Sequence, residues 1–113
     1  MNYILLFTDH KASPKRIDLP SDSKGFLHTC YSLLDCDLIE IVSTWVPDIV
    51  LIVDESGKLK DGWKPNLLAS MLYPNPFDPI AGTAIIARRS GPDIVPLLDS
   101  DISFLSDFYG LAL

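Results

Sequence analysis

Residues 38–58 read LIEIVSTWVPDIVLIVDESGK, and this segment decides the fold. Its run at 49–53 is uniformly apolar, which predicts a strand that is buried on both faces and is therefore central in a sheet. The β-branched residues of 38–44 predict a second strand, in which Glu40 is the interruption. Residues 45–48 break the two runs apart, and residues 54–58 have the composition of a turn.

The chain before this segment predicts a hairpin and a helix. Short apolar or alternating runs at 3–8 and 15–19 predict two strands, the second nearer an edge of the sheet. The next helix is expected to begin at a cap supplied by residues 21–23 and to run through residue 35. Its apolar face is formed by Phe26, Cys30, Leu33 and Leu34.

The chain after the segment predicts a short helix and a strand. Pro65 suits the first position of that helix, because its missing N–H has no helical partner there. A strand is expected over 80–87, with Gly82 as a bulge or a point of close approach. The apolar face of the short helix is formed by Leu67, Leu68, Met71 and Leu72.

The C-terminal part predicts a short strand or an extended approach to the next element over 93–98, followed by a last helix. That helix is expected to begin at a cap from Asp99 or Ser100 and to end at Gly110. Residues 1–113 are therefore predicted to form a single α+β domain. Its mixed sheet has about five strands, and three short helices pack on it.

Composition excludes several classes of protein. The 113 residues include 9 Lys plus Arg and 15 Asp plus Glu, so the net charge is 9 − 15 = −6, and 48% of the residues are hydrophobic. A chain this apolar can bury enough surface to fold, which excludes disorder. The negative charge argues against direct nucleic-acid binding. Most of the acids are Asp in predicted turns and caps, where local hydrogen bonding explains them.

No targeting or membrane segment is expected. The apolar run at 3–7 has no preceding Lys or Arg and ends at Asp9, unlike a signal peptide. No apolar run approaches the roughly 20 residues of a membrane span. A soluble cytoplasmic protein is therefore predicted. Cys30 and Cys36 are expected to be reduced thiols, one of them in a core, although their close spacing leaves a bridge open.

The His and Cys residues do not predict a metal or nucleophile site. Residues two apart on a helix, such as His28 and Cys30, point about 200° apart, and structural zinc needs four close ligands. No strand–turn–helix elbow surrounds a Ser or Cys that could pair with His10 or His28. Ordinary histidines and buried thiols explain these residues, so no metal, cofactor or catalytic residue is assigned.

Two groups of charged residues are candidate ligand sites. Asp54 and Glu55 follow the buried strand, where catalytic carboxylates occur, but together with Lys58 they also fit an ordinary turn. Arg88 and Arg89 follow a later strand, and paired guanidinium groups can hold a phosphate or a carboxylate. The alternative for the arginines is a charged strand end that keeps a sheet edge soluble.

The candidate interface residues are the two tryptophans and the C-terminus. Trp45 and Trp63 lie in predicted loops, where an aromatic ring can mark a protein interface or can fold back over a small core. The apolar tail that ends at Leu113 could dock on a partner subunit. Another protein is therefore the expected partner, with a homodimer as an alternative.

Four short motifs occur in order along the chain. They are Asp-Glu-Ser-Gly-Lys at 54–58 after a strand, Pro-Asn at 65–66, Ile-Ala-Gly-Thr at 80–83, and Leu-Leu-Asp-Ser-Asp at 97–101 before the last helix. This order resembles a family of small domains of unknown function from Gram-positive bacteria, their mobile elements and their phages. That family tends to carry glycines after the first helix, where this chain has Leu-Asp-Cys at 34–36.

The resemblance implies an accessory role in a bacterial or phage cytoplasm. It points to Asp54, Glu55, Asn66 and Gly82 as the first positions at which to look for a ligand. Three functions follow from the sequence, and the favoured one is a non-enzymatic protein-interaction module. The alternatives are a module that binds a small anionic ligand or nucleotide through the two arginines, and a small hydrolase that uses the carboxylates at 54 and 55.

Overall fold

The computed structural model describes residues 3–7, 14–18 and 23–113, and their strands form one sheet. The strands are β1 Tyr3–Phe7, β2 Lys15–Asp18, β3 Ile39–Ser43, β4 Ile49–Asp54, β5 Ala84–Ser90 and β6 Asp93–Val95. The order across the sheet is β2-β1-β5-β4-β3, and β6 also pairs with β5. The predicted hairpin of β1 and β2 is confirmed, with β2 at an edge.

Three helices cover the two faces of this sheet: α1 Ser23–Leu34, α2 Leu67–Ser70 and α3 Asp99–Tyr109. α1 packs on one face, and α2 and α3 pack on the other. The α+β class, the sheet and the three helices are therefore confirmed. The sheet was expected to be mixed, but every pairing among the described residues is antiparallel. Strand direction depends on how the connections cross, which local sequence patterns do not specify.

β4 belongs to both cores. Val50 and Ile52 join the core under α1, and the alternate residues Ile49, Leu51 and Val53 join the core under α2 and α3. Successive side chains of a strand point to opposite faces, so a strand covered on both faces must be apolar throughout. The uniform run at 49–53 is thereby explained, and its predicted central position is confirmed.

β5 begins four residues later than the sequence indicated. Residues before it pair with the segment that leads into α2: the Asn66 N–H donates to the Ile80 carbonyl at 2.7 Å, and Pro65 forms an isolated bridge with Ala81. Gly82 follows in a left-handed conformation, with φ of 73°, and turns the chain into β5. Gly82 is thus the residue of a turn and not a bulge inside the strand.

α2 differs from its prediction in its start and in its buried face. Pro65 precedes the helix, and Asn66 is the N-cap. Leu67 and Met71, which were expected to face the core, are 71% and 51% exposed. A single helical turn is oriented by what anchors its ends, and the Asn66 cap turns other residues inward. The buried side chains are Ala69 and Leu72.

α3 ends as the sequence indicated and begins differently. Gly110 has a φ of 67°, and its N–H donates to the Ser106 carbonyl, so the predicted C-terminal stop is confirmed. The N-cap is Leu98, and the capping carboxylate belongs to Asp101 instead of Asp99 or Ser100. Within the described part of the chain, no helix is both long and apolar enough to cross a membrane.

Candidate functional site

A groove of about 400 Å³ lies beside β3, on the face of the sheet that carries α2 and α3. Glu40 lies directly opposite Val53 on the neighbouring strand, so both side chains point to this face. The floor is apolar and includes Val42, Val53 and Ile80. The rim is charged and is formed by Glu40, Glu55, Lys58 and Asp78.

The rim of the groove carries an excess of negative charge. The Lys58 ammonium group is paired with the Asp78 carboxylate. Glu40 and Glu55 are exposed and form no ion pair in the part of the chain that the structure describes. Two carboxylates therefore face solvent without a basic partner among the described residues, near the start of β3 and just after the end of β4.

Asp54 also lines the groove, and it holds the turn after β4. Its Oδ2 lies 2.6 Å from Lys60 Nζ, and its Oδ1 accepts the Ser56 N–H at 2.9 Å. Burial would raise the pKa of Asp54, but the hydrogen bonds from Lys60 and Ser56 outweigh it and hold the pKa below its ordinary value. The residue is thus an ionised turn anchor, whose bond to the following N–H is the usual one for Asp at a turn.

The two arginines do not lie together. The Nε and Nη2 atoms of Arg88 donate to the two carboxylate oxygens of Asp101, both at 2.8 Å, and Asp48 lies 3.8 Å from Nη1. Arg89 is exposed and, as the next residue of β5, points to the other face of the sheet. Arg88 therefore forms an ion pair within the chain, and its side chain lies on the opposite face of the sheet from that of Arg89.

Burial and hydrogen bonding act in opposite directions on Asp101. Burial would raise the pKa of its carboxyl group, but the hydrogen bonds from Arg88 and from the Leu98 N–H lower it below the ordinary value. The carboxylate thus neutralises Arg88 and caps α3 at the same time.

Asn66 and Gly82 are joined in a buried hydrogen-bond network. Asn66 Nδ2 donates to the carbonyls of Phe7 and Gly82, at 3.0 and 2.9 Å, and its Oδ1 accepts the Ala69 N–H at 3.0 Å. The side chain is 1% exposed. This network fixes α2 against β1 and against the entry to β5. Asn66 and Gly82 therefore both have a structural role.

Trp45 lies in an exposed cluster that we call the aromatic face, formed by Trp45, Met71, Phe104 and Phe108. The Trp45 ring centroid is 5.3 Å from that of Phe108 and 6.2 Å from that of Phe104. Its Nε1–H donates to the Met71 carbonyl at 3.0 Å. Trp45, Met71 and Phe104 are 48%, 51% and 41% exposed. The spacing of Phe104 and Phe108 on α3 is the sequence signal for this face, whereas the helical pattern of 67–72 predicts that Met71 faces the core.

Trp63 and Leu113 lie elsewhere. Trp63 is exposed, and Lys58 Nζ is 5.9 Å from the centroid of its ring. Leu113 packs against the core of its own chain, and its carbonyl accepts a hydrogen bond from Arg16. The three candidate interface residues are thus in three separate environments, and only Trp45 belongs to an aromatic cluster.

Both cysteines are free, and Cys30 lies on the buried face of α1. Burial, together with the nearby Cys36, raises the pKa of Cys30 to about 11. Burial and then the Asp54 carboxylate raise the pKa of Cys36. Both thiols are therefore protonated at neutral pH, as expected of structural residues.

Comparison with known proteins identifies a family for this chain. Neither a curated protein nor a solved structure is significantly similar to the chain. One family model, described as a domain of unknown function (DUF3846), matches residues 1–110. Since that match spans nearly the whole sequence, the chain belongs to the DUF3846 family.

Proposed function

We propose that this protein is a non-enzymatic interaction module that binds another protein through the aromatic face. The observation that carries the proposal is the exposure of three neighbouring residues: Trp45 in the loop before β4, Met71 at the C-cap of α2, and Phe104 on α3. Trp, Phe and Met are enriched in the buried centres of protein interfaces. We further propose that this interaction occurs in the cytoplasm of bacteria or phage-infected cells, and the resemblance of the sequence motifs supports this part of the proposal.

The aromatic face is held rigidly, which favours binding. The Trp45 backbone N–H donates to the Leu72 carbonyl at 3.1 Å, and its indole N–H is bonded to α2. The rings of Phe104 and Phe108 are parallel to within 9°. Because the indole N–H is satisfied internally, the surface offered to a partner is apolar. A side chain that is already fixed loses little conformational entropy when a partner covers it.

The charged candidates support binding over catalysis. Asp54 is ionised and bonded to Lys60, so it has no proton to donate at neutral pH. Arg88 uses two of its three guanidinium nitrogens on Asp101. A hydrolase that uses Asp54 would need this residue to leave Lys60, and an anion site that uses Arg88 would need it to leave Asp101.

Photo-crosslinking in cells that express the protein naturally tests the proposal. A benzophenone amino acid replaces Phe104, and the matched control places it at Leu27, which is 46% exposed on α1, on the other side of the sheet. We expect a discrete crosslinked protein from position 104 that is absent from position 27 and is lost in Trp45→Ala. Crosslinking of two copies of the chain would identify the partner as a second copy, which forms a homodimer. Identical products from both positions, or none from position 104, would refute the proposal.

A further inference from the structure

We infer that the outer edge of β3 is a docking site for an extended peptide segment that carries a basic residue. β3 is the last strand of the sheet, and among the described residues its only strand partner is β4. Such an edge can accept an additional strand through main-chain hydrogen bonds. The groove and its two unpaired carboxylates lie beside this edge, and they share no residue with the aromatic face.

The pattern of hydrogen bonds shows which backbone groups are free. The Glu55 N–H donates to the Leu38 carbonyl, so this pair is hydrogen-bonded. Hydrogen-bonded and non-hydrogen-bonded pairs alternate in an antiparallel ladder. Glu40 and Val42 therefore also bond to β4, whereas the N–H and C=O groups of residues 39, 41 and 43 point outward. Within the described ranges of the chain, three residues are thus available to a new strand.

β3 has little of the usual protection of an edge strand, since Glu40 is its one charged residue. Its sequence, Ile-Glu-Ile-Val-Ser, contains no Pro and no basic residue, and Ile41 is 39% exposed. The opposite edge strand, β2, reads Lys-Arg-Ile-Asp, and charged side chains of this kind discourage pairing with another chain. The contrast between the two edges indicates that β3 is open to a partner.

The side chains around the edge specify the chemistry of that partner. A residue placed opposite Glu40 would project over the groove, within reach of Glu40 and close to Glu55, so a Lys or Arg there would meet two carboxylates. A residue opposite Val42 would meet the apolar floor. Residues opposite Ile39 and Ile41 would lie on the other face of the sheet, against apolar side chains. The fitting segment alternates apolar residues with a basic one.

Charge disfavours a second copy of β3 as the occupant. If two copies paired antiparallel about Ile41, each Glu40 would lie opposite Val42 of the other copy and diagonal to the other Glu40. Four unpaired carboxylates, Glu40 and Glu55 of both copies, would then gather along one edge. A basic segment of a different protein removes this repulsion and is therefore the expected occupant of the edge.

Fluorescence anisotropy with a designed peptide tests the inference. The probe is fluorescein-labelled Gly-Thr-Val-Ile-Arg-Val-Lys-Gly, capped at its C-terminus, which places Arg opposite Glu40 when it pairs antiparallel to β3. The comparison peptide has Glu in place of Arg and Lys. We expect saturable binding of the basic peptide below a concentration of about 1 mM and at least fivefold weaker binding of the acidic one, since a cross-strand charge pair contributes up to about 1 kcal/mol.

Two variants locate the site. Glu40→Lys is expected to weaken binding of the basic peptide about five- to tenfold and to strengthen binding of the acidic peptide, while Asp107→Lys, the same charge change on the exposed side of α3, leaves both unchanged. Ile41→Pro removes an outward N–H that no bond of the sheet uses, and it is expected to abolish binding. The circular dichroism of each variant checks its fold.

Three results would overturn the inference. The first is equal binding of the two peptides, or no saturable binding up to about 1 mM. The second is an equal effect of the charge changes at 40 and 107. The third is a dimer, measured by light scattering, that Ile41→Pro converts to a monomer, because the edge would then be occupied by a second copy. None of these results depends on the aromatic face, so the proposed function is tested separately.

Discussion

Replacing Asp101 by alanine should be among the most damaging single changes on α3. The carboxylate is 7% exposed, binds Arg88 through two hydrogen bonds and accepts the Leu98 N–H at 2.8 Å. Losing a helix cap costs about 1 kcal/mol. Breaking a fully buried ion pair costs about 3–5 kcal/mol. In the variant, the Arg88 side chain would still be 24% exposed to solvent and would still have the more distant Asp48 nearby. Its charge would therefore be only partly unsatisfied, which reduces the cost of breaking the pair to about 1–2 kcal/mol.

The expected loss from Asp101→Ala is therefore about 2–3 kcal/mol of unfolding free energy, or a fall of about 10 °C in Tm. Urea unfolding followed by tryptophan fluorescence measures it, with Asp107→Ala on the exposed side of α3 as the matched control. The control should change stability by less than about 0.5 kcal/mol. A double-mutant cycle with Arg88→Ala should give a coupling free energy of about 1–2 kcal/mol.

The pH dependence of the same variant gives an independent check. The pKa of Asp101 is lower in the folded protein than its unfolded value of about 3.9, so the unfolded state binds more protons between those two values. The contribution of the carboxylate is complete above pH of about 4 and is lost as the pH falls through the folded pKa. The difference between wild type and Asp101→Ala should therefore shrink below pH of about 4. A cost under about 0.5 kcal/mol at pH 7, or a coupling near zero, would refute the structural role of the pair.

Three further outcomes are expected. Asn66→Asp should lower the free energy of unfolding, measured in urea, by about 2–4 kcal/mol although Asp is an equally good N-cap. The reason is that a carboxylate oxygen would replace the amide group that donates to two backbone carbonyls. A loss under about 1 kcal/mol would contradict this. A thiol-reactive chromogenic disulfide at pH 8 should modify Cys36 well before the buried Cys30, and equal rates would count against the core position of Cys30. Gly110→Ala should cost about 1 kcal/mol from its φ of 67° alone, since an added Cβ meets no atom within 4 Å; a neutral substitution would argue against the left-handed cap.

Only part of the candidate site could be predicted from the sequence. The turn of Asp54, Glu55 and Lys58 was located correctly beside the end of a buried strand, because turn chemistry is local. The sequence identifies Glu40 only as an interruption of a strand, since its position on the groove rim depends on its pairing with Val53. A lone acid on one face of an apolar strand was the signal available for it.

Several assignments depended on contacts between distant parts of the chain. Arg88 meets Asp101 across 13 residues, Trp45 meets Met71 across 26, and Asn66 meets Phe7 across 59. These contacts change the roles expected of the residues. Arg88, a candidate anion ligand, is the partner of an internal ion pair, and Met71, expected in the core, is part of an exposed face. No spacing pattern within one element contains that information.

The sequence by itself determined the number, type and order of the elements, the hairpin at the start, the double burial of β4 and the glycine stop of α3. These features follow from hydrophobic period, turn chemistry and backbone conformation, which act over a few residues. The tertiary structure decided the antiparallel order of the sheet, the late start of β5, the orientation of α2, the Arg88–Asp101 pair and the open edge of β3. Those features are set by which distant segments compete for the same backbone hydrogen bonds and the same apolar surface, and that competition is resolved only when the whole chain packs.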